Sequence, residues 1–514
     1  MFSIMKFFRG NRKSKYRIPN HSASTLQDPP LSNVMSANIE YLKQLFTLTP
    51  DLIIRQIQTD QEGNSTTLVY LEGLVNKEYI HNNILHELIN GSPEQYNRLP
   101  EVSVGKIRIE WSWDEIENAI LQGNSVLFVE GQPKVYVYDT KGWPQRAVED
   151  SRIEASLRGA HQSFVETGSQ NIALIRRYIP NRELKIKELS VGQRGKIKLS
   201  IMYLADVANP ELLKELEKRI NLIDIDAIMN TGELAEFIED NPFSPFPQVI
   251  LTEKPDTTAS HILQGRFAVV VDRSPTVLIA PVNFITFFQS VDDYNSRWLI
   301  ASFIRLLRFF ALFIALFLPS AYIAFISFNY EVIPVQLILS IAETRSRVPF
   351  PPIIEAIVME IVLEMMREAG IRLPAMIGQT IGIVGGIIIG QAAVQAGIVS
   401  NFMVIVVSTT AIASFIIPNY DMGASIRLLR FPMMILASMF GIVGIVTGAM
   451  ILVVHFVSLE SLGTPYGSPL APWRYVEMKD VFVRFPIWSM LKRPKSTMPS
   501  QSIRQKNHRE DEDS

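Results

Sequence analysis

The sequence predicts an α/β two-lobed soluble N-terminal region followed by an α-helical polytopic membrane domain. Three observations carry that prediction. Charge is divided unevenly: from Leu299 to Trp473 only eight arginines and eight acids occur, about 9%, while the rest of the 514 residues stand near 25%, the soluble norm. Long uncharged runs fall only in the poor segment. Before it, short helix-like and strand-like patterns alternate, as in layered α/β domains.

Composition excludes several classes. The formal net charge is −2, which offers nucleic acid no basic footprint. No cysteine occurs, so disulfides, thiolate catalysis, cysteine-ligated zinc and iron–sulfur clusters are ruled out. GxGxxG, the Walker A lysine loop, GxSxG and HExxH are all missing from the sequence, and the seven histidines are scattered. The expectation is a non-enzymatic chain without a cofactor or metal.

Residues 1–37 read as a disordered basic tail. Apolar Met1 to Phe8 precedes Arg9, Arg12, Lys13, Lys15 and Arg17, the reverse of a secretory signal, and the same charges suit anionic lipid headgroups. The first α/β lobe is placed at 38–180. It has helical spacing over Asn38 to Ile57, an extended stretch from Thr67 to Val75, and a hairpin joining Ser125–Val129 to Lys134–Tyr138. An amphipathic helix is expected over Asp150 to Glu166. The second lobe, 181–298, offers a strand at Lys196–Leu204 and helices at Pro210–Ile220, Thr231–Glu239 and Thr257–Gln264. A second hairpin joins Phe267–Val271 to Thr276–Ile279.

The membrane domain is placed at 299–473, with four clear spans and two short or re-entrant segments. Phe309–Tyr330 supplies one span, Leu373–Tyr420 two with a turn near Gly397–Asn401, and Phe431–Leu459 another. Val332–Ala342 is too short to cross alone. A rigid elbow follows at Pro349, Pro351 and Pro352, and then a helix over Ile353–Ala369. Glu360, Glu364 and Glu368 lie within an 80° arc of it, and Glu355 lies off that arc.

A carboxylate stripe beside membrane spans must face water or partners. Two readings stay open: a helix lining a cation path in a ring of copies, or an interfacial helix whose glutamates pair with Arg367 and Arg372. Gly378, Gly382, Gly386 and Gly390 form a small-xxx-small ladder for close helix packing, within the chain or between copies. The hexapeptide Ile-Arg-Leu-Leu-Arg-Phe occurs at 304–309 and again at 426–431. Positive-inside logic puts the lobes and the polar C-terminal tail, 474–514, on the cytoplasmic side and asks for an even span count. That count places the second hexapeptide outside, a conflict that a re-entrant segment would resolve.

Several phrases resemble the A subunits of GerA-type spore germination receptors. They include Glu154-Ala155-Ser156-Leu157-Arg158-Gly159, Asn171-Ile172-Ala173-Leu174-Ile175-Arg176-Arg177, and 240–248, Asp-Asn-Pro-Phe-Ser-Pro-Phe-Pro-Gln. Further matches are Thr252-Glu253-Lys254-Pro255-Asp256, Arg347-Val348-Pro349-Phe350-Pro351 and 367–374, Arg-Glu-Ala-Gly-Ile-Arg-Leu-Pro. The chain departs from the family pattern at Ala160-His161-Gln162-Ser163, at Lys254 and at Asp272-Arg273-Ser274. The resemblance implies an integral protein of the spore inner membrane, working with a transporter-like B subunit that binds the nutrient and a lipoprotein C subunit. It further implies a homo-oligomeric channel releasing monovalent cations. The alternatives are a non-conducting scaffold of the receptor or a secondary transporter.

Overall fold

A computed structural model describes residues 28–58, 65–90, 107–142, 154, 158–374, 385–386 and 388–505. The first lobe opens with α1 (Met35–Leu45), β1 (Leu52–Gln58) and β2 (Ser65–Leu71). A helical stretch, 77–90, leads to β3 (Ile107–Glu110), α2 (Trp113–Leu121), β4 (Ser125–Val129) and β5 (Val135–Tyr138). The sheet is antiparallel in the order β1-β2-β4-β5-β3. Helical spacing over Asn38–Ile57 holds only to Leu45, because Leu48 takes a left-handed φ of 54° and Pro50 follows. Ser112 caps α2: its Oγ accepts from Glu115 N and donates to Glu115 Oε2. Leu42, Leu71, Ile116 and Val126 bury the helix faces against the sheet.

The second lobe repeats this plan, and it begins before the expected boundary at 181, with a helix whose Leu174 and Ile175 pack with Ile186 and Met202 of its sheet. It runs α3 (Gly168–Tyr178), β6 (Leu184–Val191), β7 (Ile197–Leu204), α4 (Pro210–Asn221), α5 (Thr231–Ile238), β8 (Ile250–Thr252), α6 (Pro255–Ile262), β9 (Phe267–Val271) and β10 (Val277–Ala280). Its order, β6-β7-β9-β10-β8, is the first lobe's order again. Both expected hairpins are present. Arg273 sits in the second turn at φ 66°, a conformation costing a side-chain residue about 1–2 kcal/mol.

The helix expected over Asp150–Glu166 is corrected. Residues 150–153 and 155–157 lie outside the described residues, and 158–166 are not helical. Asn171 ties both backbone groups of Val165, at 2.8 and 2.6 Å, and Phe164 N donates to Glu253 O, so the chain runs non-helically over the lobe. The lobes are clamped by Arg176, 2% exposed, which donates to both oxygens of Asp51 at 2.5 and 2.8 Å.

The helical half comprises α7 (Trp298–Ser327), α8 (Val335–Arg345), α9 (Pro352–Arg372), α10 (Asn401–Phe415) and α11 (Tyr420–Ser458). Four spans are expected; among the described residues two helices, α7 and α11, are long and apolar enough to cross a membrane. The Leu373–Tyr420 run falls partly outside the described residues, at 375–384 and 387. Its second part, α10, is 15 residues, or about 22 Å.

The span expected at Phe431–Leu459 is also corrected. α11 reverses at Gly441, whose φ of 59° and ψ of −137° suit glycine alone. A Cβ on Gly448 would meet Met433 Sδ at 2.5 Å, although a straight helix would hold these residues about 22 Å apart. Gly444 and Gly448 thus let two arms, 420–440 and 442–458, lie side by side. The tip abuts Phe328 and Asn329 at the end of α7, and the returning arm reaches the second lobe through His455–Ser244 and Phe456–Phe284.

Arg430 Nε donates to Ala315 O and Gly441 further on abuts Phe328, so α7 and the outgoing arm of α11 run parallel. Both hexapeptides therefore lie in the first halves of helical segments that run the same way. The expected polar tail behaves differently in its described part, 474–505. Thr497 Oγ1 bonds Gln264 O, Ser500 N bonds Val207 O and Arg493 Nε bonds Leu263 O, strapping it onto the second lobe.

Within the second lobe, His261 Nδ1 lies 3.0 Å from Arg266 Nη1, and both side chains are buried. Burial, then the neighbouring guanidinium, holds His261 well below the usual histidine range. The fold favours neutral imidazole, so this contribution is present above about pH 6.5 and is lost as pH falls below it. The unfolding midpoint of the full chain should drop between pH 7 and 5, and His261→Gln should shrink that drop. An unchanged drop in the variant would remove His261 as its source.

Candidate functional site

The site follows from how α9 begins. Pro352 at its first position and Pro351 before it fix the entry, and the turn carrying Pro349, Pro351 and Pro352 separates α8 from α9. Pro349 and Pro351 are exposed, and Pro352 is buried. Arg345 pins the elbow, bonding Phe350 O at 3.3 Å and Glu355 at 3.2 Å. Gly397, at φ 67°, presses against Arg347 O from the turn before α10.

Glu355, off the stripe, is the most buried of the four glutamates, 1% exposed. Its Oε2 accepts from Ser400 N at 2.9 Å, at the N-cap of α10, where the helix dipole favours an anion. It anchors one helix to the next, a role that its position outside the arc did not suggest.

The three stripe glutamates are not equivalent. Glu360 is 5% exposed and pairs with Arg430 of α11, itself buried. Glu364 is half-exposed, 3.3 Å from Arg367 and 3.4 Å from Arg427. Glu368 points outward and, among the described residues, pairs along its own helix with exposed Arg372, at 2.6 Å. Glu364 and Glu368 share a shallow open groove of about 640 Å³ with Ile361, Met365 and Phe431. Glu360 faces away from it. The helix thus has a sealed face and an open one.

Arg427 and Arg430 were missed as partners, although the second hexapeptide carries both. The first behaves alike: Arg305, fully buried, and Arg308 both reach Asp293 Oδ2, at 3.1 and 2.8 Å, and Arg305 also meets Asp480 at 2.7 Å. Repetition of Arg-x-x-Arg before an apolar run was the available signal.

Of the glycine ladder, Gly378 and Gly382 lie outside the described residues. Gly386 is 3.8 Å from Met366 Cε and Gly390 is 3.9 Å from Val404, measured from the Cβ each would carry. Within the chain these two positions face α9 and α10 respectively. Among the described residues no group of three or more histidines or acids could hold a metal ion.

A buried pair gains little net stability, but leaving one member alone typically costs about 3–5 kcal/mol. Glu360→Met and Arg430→Met should each lower the unfolding midpoint of the detergent-solubilised chain strongly, and the double variant should recover most of the loss. Additive losses would contradict direct pairing.

Comparison with known proteins bears on the whole chain. The family model "Bacillus/Clostridium GerA spore germination protein" matches residues 40–496. The chain is 41% identical over 473 residues to "Uncharacterized membrane protein YfkQ" of Bacillus subtilis, covering 91% of this chain and 92% of that one. It is 40% identical over 482 residues to "Spore germination protein KA" of Bacillus subtilis, covering 92% and 89%. With "Spore germination protein GerLA" of Bacillus cereus it shares 37% over 448 residues, covering 86% and 91%. A crystal structure of the N-terminal domain of the A subunit of the Bacillus megaterium spore germinant receptor GerK3 matches at 28% identity with a TM-score of 0.39, over 50% of this chain and 98% of that one. The chain belongs to the GerA family of Bacillus/Clostridium spore germination proteins.

Proposed function

We propose that this chain is a membrane subunit of a nutrient germinant receptor of bacterial spores, and that several copies surround a cation path that opens when germinant is sensed. Membership of the family supports the receptor role, and so do relatives named as spore germination proteins. In this reading the chain sits in the spore inner membrane with its lobes and C-terminal segment in the cytoplasm. It works beside a transporter-like B subunit and a lipoprotein C subunit.

One observation carries the cation path. The open face of α9 sets Glu364 and Glu368, with 48% and 57% of their side chains exposed, among exposed Ile361 and Met365, between helices apolar enough for a membrane. Carboxylates at that place are tolerated facing water or another copy. A ring that turns this face inward makes a narrow path with acidic and apolar rungs. Glu360, sealed by Arg430, holds the helix in place and does not line the path.

A second reading has an observation of its own. Glu364 already lies near Arg367 and Arg427, as it would in a scaffold that conducts nothing. Recording from planar bilayers carrying the purified chain separates the two. The path predicts cation-selective conductance, with selectivity reduced in Glu368→Gln. Persistent silence, or unchanged selectivity in that variant, favours the scaffold.

A further inference from the structure

Where the C-terminal segment straps onto the second lobe it forms a partly open cavity of about 610 Å³, a volume suited to a small organic ligand. One wall comes from the lobe, with Arg266, Asn283 and Ile285; the other comes from the strap between Pro469 and Arg504. Seven lysines and arginines line it against two carboxylates.

Both carboxylates are engaged. Asp480 accepts from Arg305 and from Tyr294 Oη, at 2.7 and 2.6 Å, and Glu477 accepts from Lys495 N at 3.2 Å and lies 3.8 Å from Arg474. Within the lining, cationic side chains outnumber carboxylates seven to two. Its innermost member is Arg266, 2% exposed, whose guanidinium contacts are His261 and Thr286, both without negative charge. Its Nε is buried without a hydrogen-bond partner. Burial lowers this guanidinium to about 10, the response of a cation short of an anion. Ile285, Val481 and Leu491 add apolar wall that an inorganic ion would not use.

We propose that this cavity binds a small organic phosphate, its charged group held by Arg266 and the strap lysines and its apolar part against Ile285 and Leu491. Arginine forks and lysine point charges suit a multiply charged oxyanion. The cavity lies beside Asp480, which also holds Arg305 of α7, so its occupant shares a wall with the foot of the first membrane helix. Two sources offer this chemistry: a soluble organic phosphate, or the headgroup of an anionic phospholipid beside the helices.

The test uses the full chain in nanodiscs, with ATP as the soluble probe in phosphatidylcholine and phosphatidylglycerol as the lipid probe. Equilibrium dialysis should show saturable ATP binding in phosphatidylcholine, weakened at least about tenfold in Lys479→Gln/Lys495→Gln. Both lysines are exposed, so that variant keeps the fold, which its unfolding midpoint checks. Lys214→Gln, on the exposed face of α4, should bind as the parent does. If the headgroup is the occupant, phosphatidylglycerol nanodiscs abolish ATP binding and native mass spectrometry retains that lipid on the parent but not on the double variant. Absence of both saturable ATP binding and lipid retention overturns the proposal, as does binding that the double variant leaves unchanged.

Discussion

The buried pair of Glu360 and Arg430 is the interaction around which the helical half is arranged. A carboxylate in an apolar bundle is tolerated only with its counter-charge beside it. The pair therefore dictates which face of α9 turns inward and how far along α11 it must sit. Arg430 also bonds Ala315 O, so one guanidinium joins α7, α9 and α11. Everything outward of that join follows, including the open face that carries Glu368.

The repeated Ile-Arg-Leu-Leu-Arg-Phe performs one physical task twice. At 304–309 its arginines hold Asp293 and Asp480, fastening α7 to the segments on either side of the helical half. At 426–431 they reach Glu364 and Glu360 and fasten α9. The first fastening lies at the lobe end of α7, and the second lies further along the bundle, level with Ala315. A shared core, in which Phe246, Ile279 and Phe288 meet Phe309, Met422 and Tyr466, joins the second lobe to the bundle. The second lobe is thereby packed directly against α7 and α11.

Local chemistry made much of this legible in the sequence. Gly131-Gln132-Pro133 and Asp272–Pro275 announced their hairpins, Pro210 announced α4, and the prolines at 349, 351 and 352 announced the elbow. What escaped depends on distant partners. The shared strand order of the two lobes rests on pairings such as Leu68 with Leu127 and Ile201 with Val269, which no local pattern reveals. Gly441 lies inside one long apolar run that read as a single span, yet it reverses the chain. The arc of Glu360, Glu364 and Glu368 was sound as helical geometry but silent about Arg430 on another helix, so a stripe that read as uniform has a sealed end and an open end.

The absence of cysteine from the chain makes a direct test available. Single cysteines at Met359, Met365 and Glu368, in the full chain reconstituted in liposomes, can be reacted with a membrane-impermeant thiol reagent. The account predicts that Met365→Cys and Glu368→Cys react readily and that Met359→Cys, 6% exposed beside Glu360, stays protected. Equal protection at all three positions, or faster labelling at 359, would contradict an open acidic face opposite a sealed one.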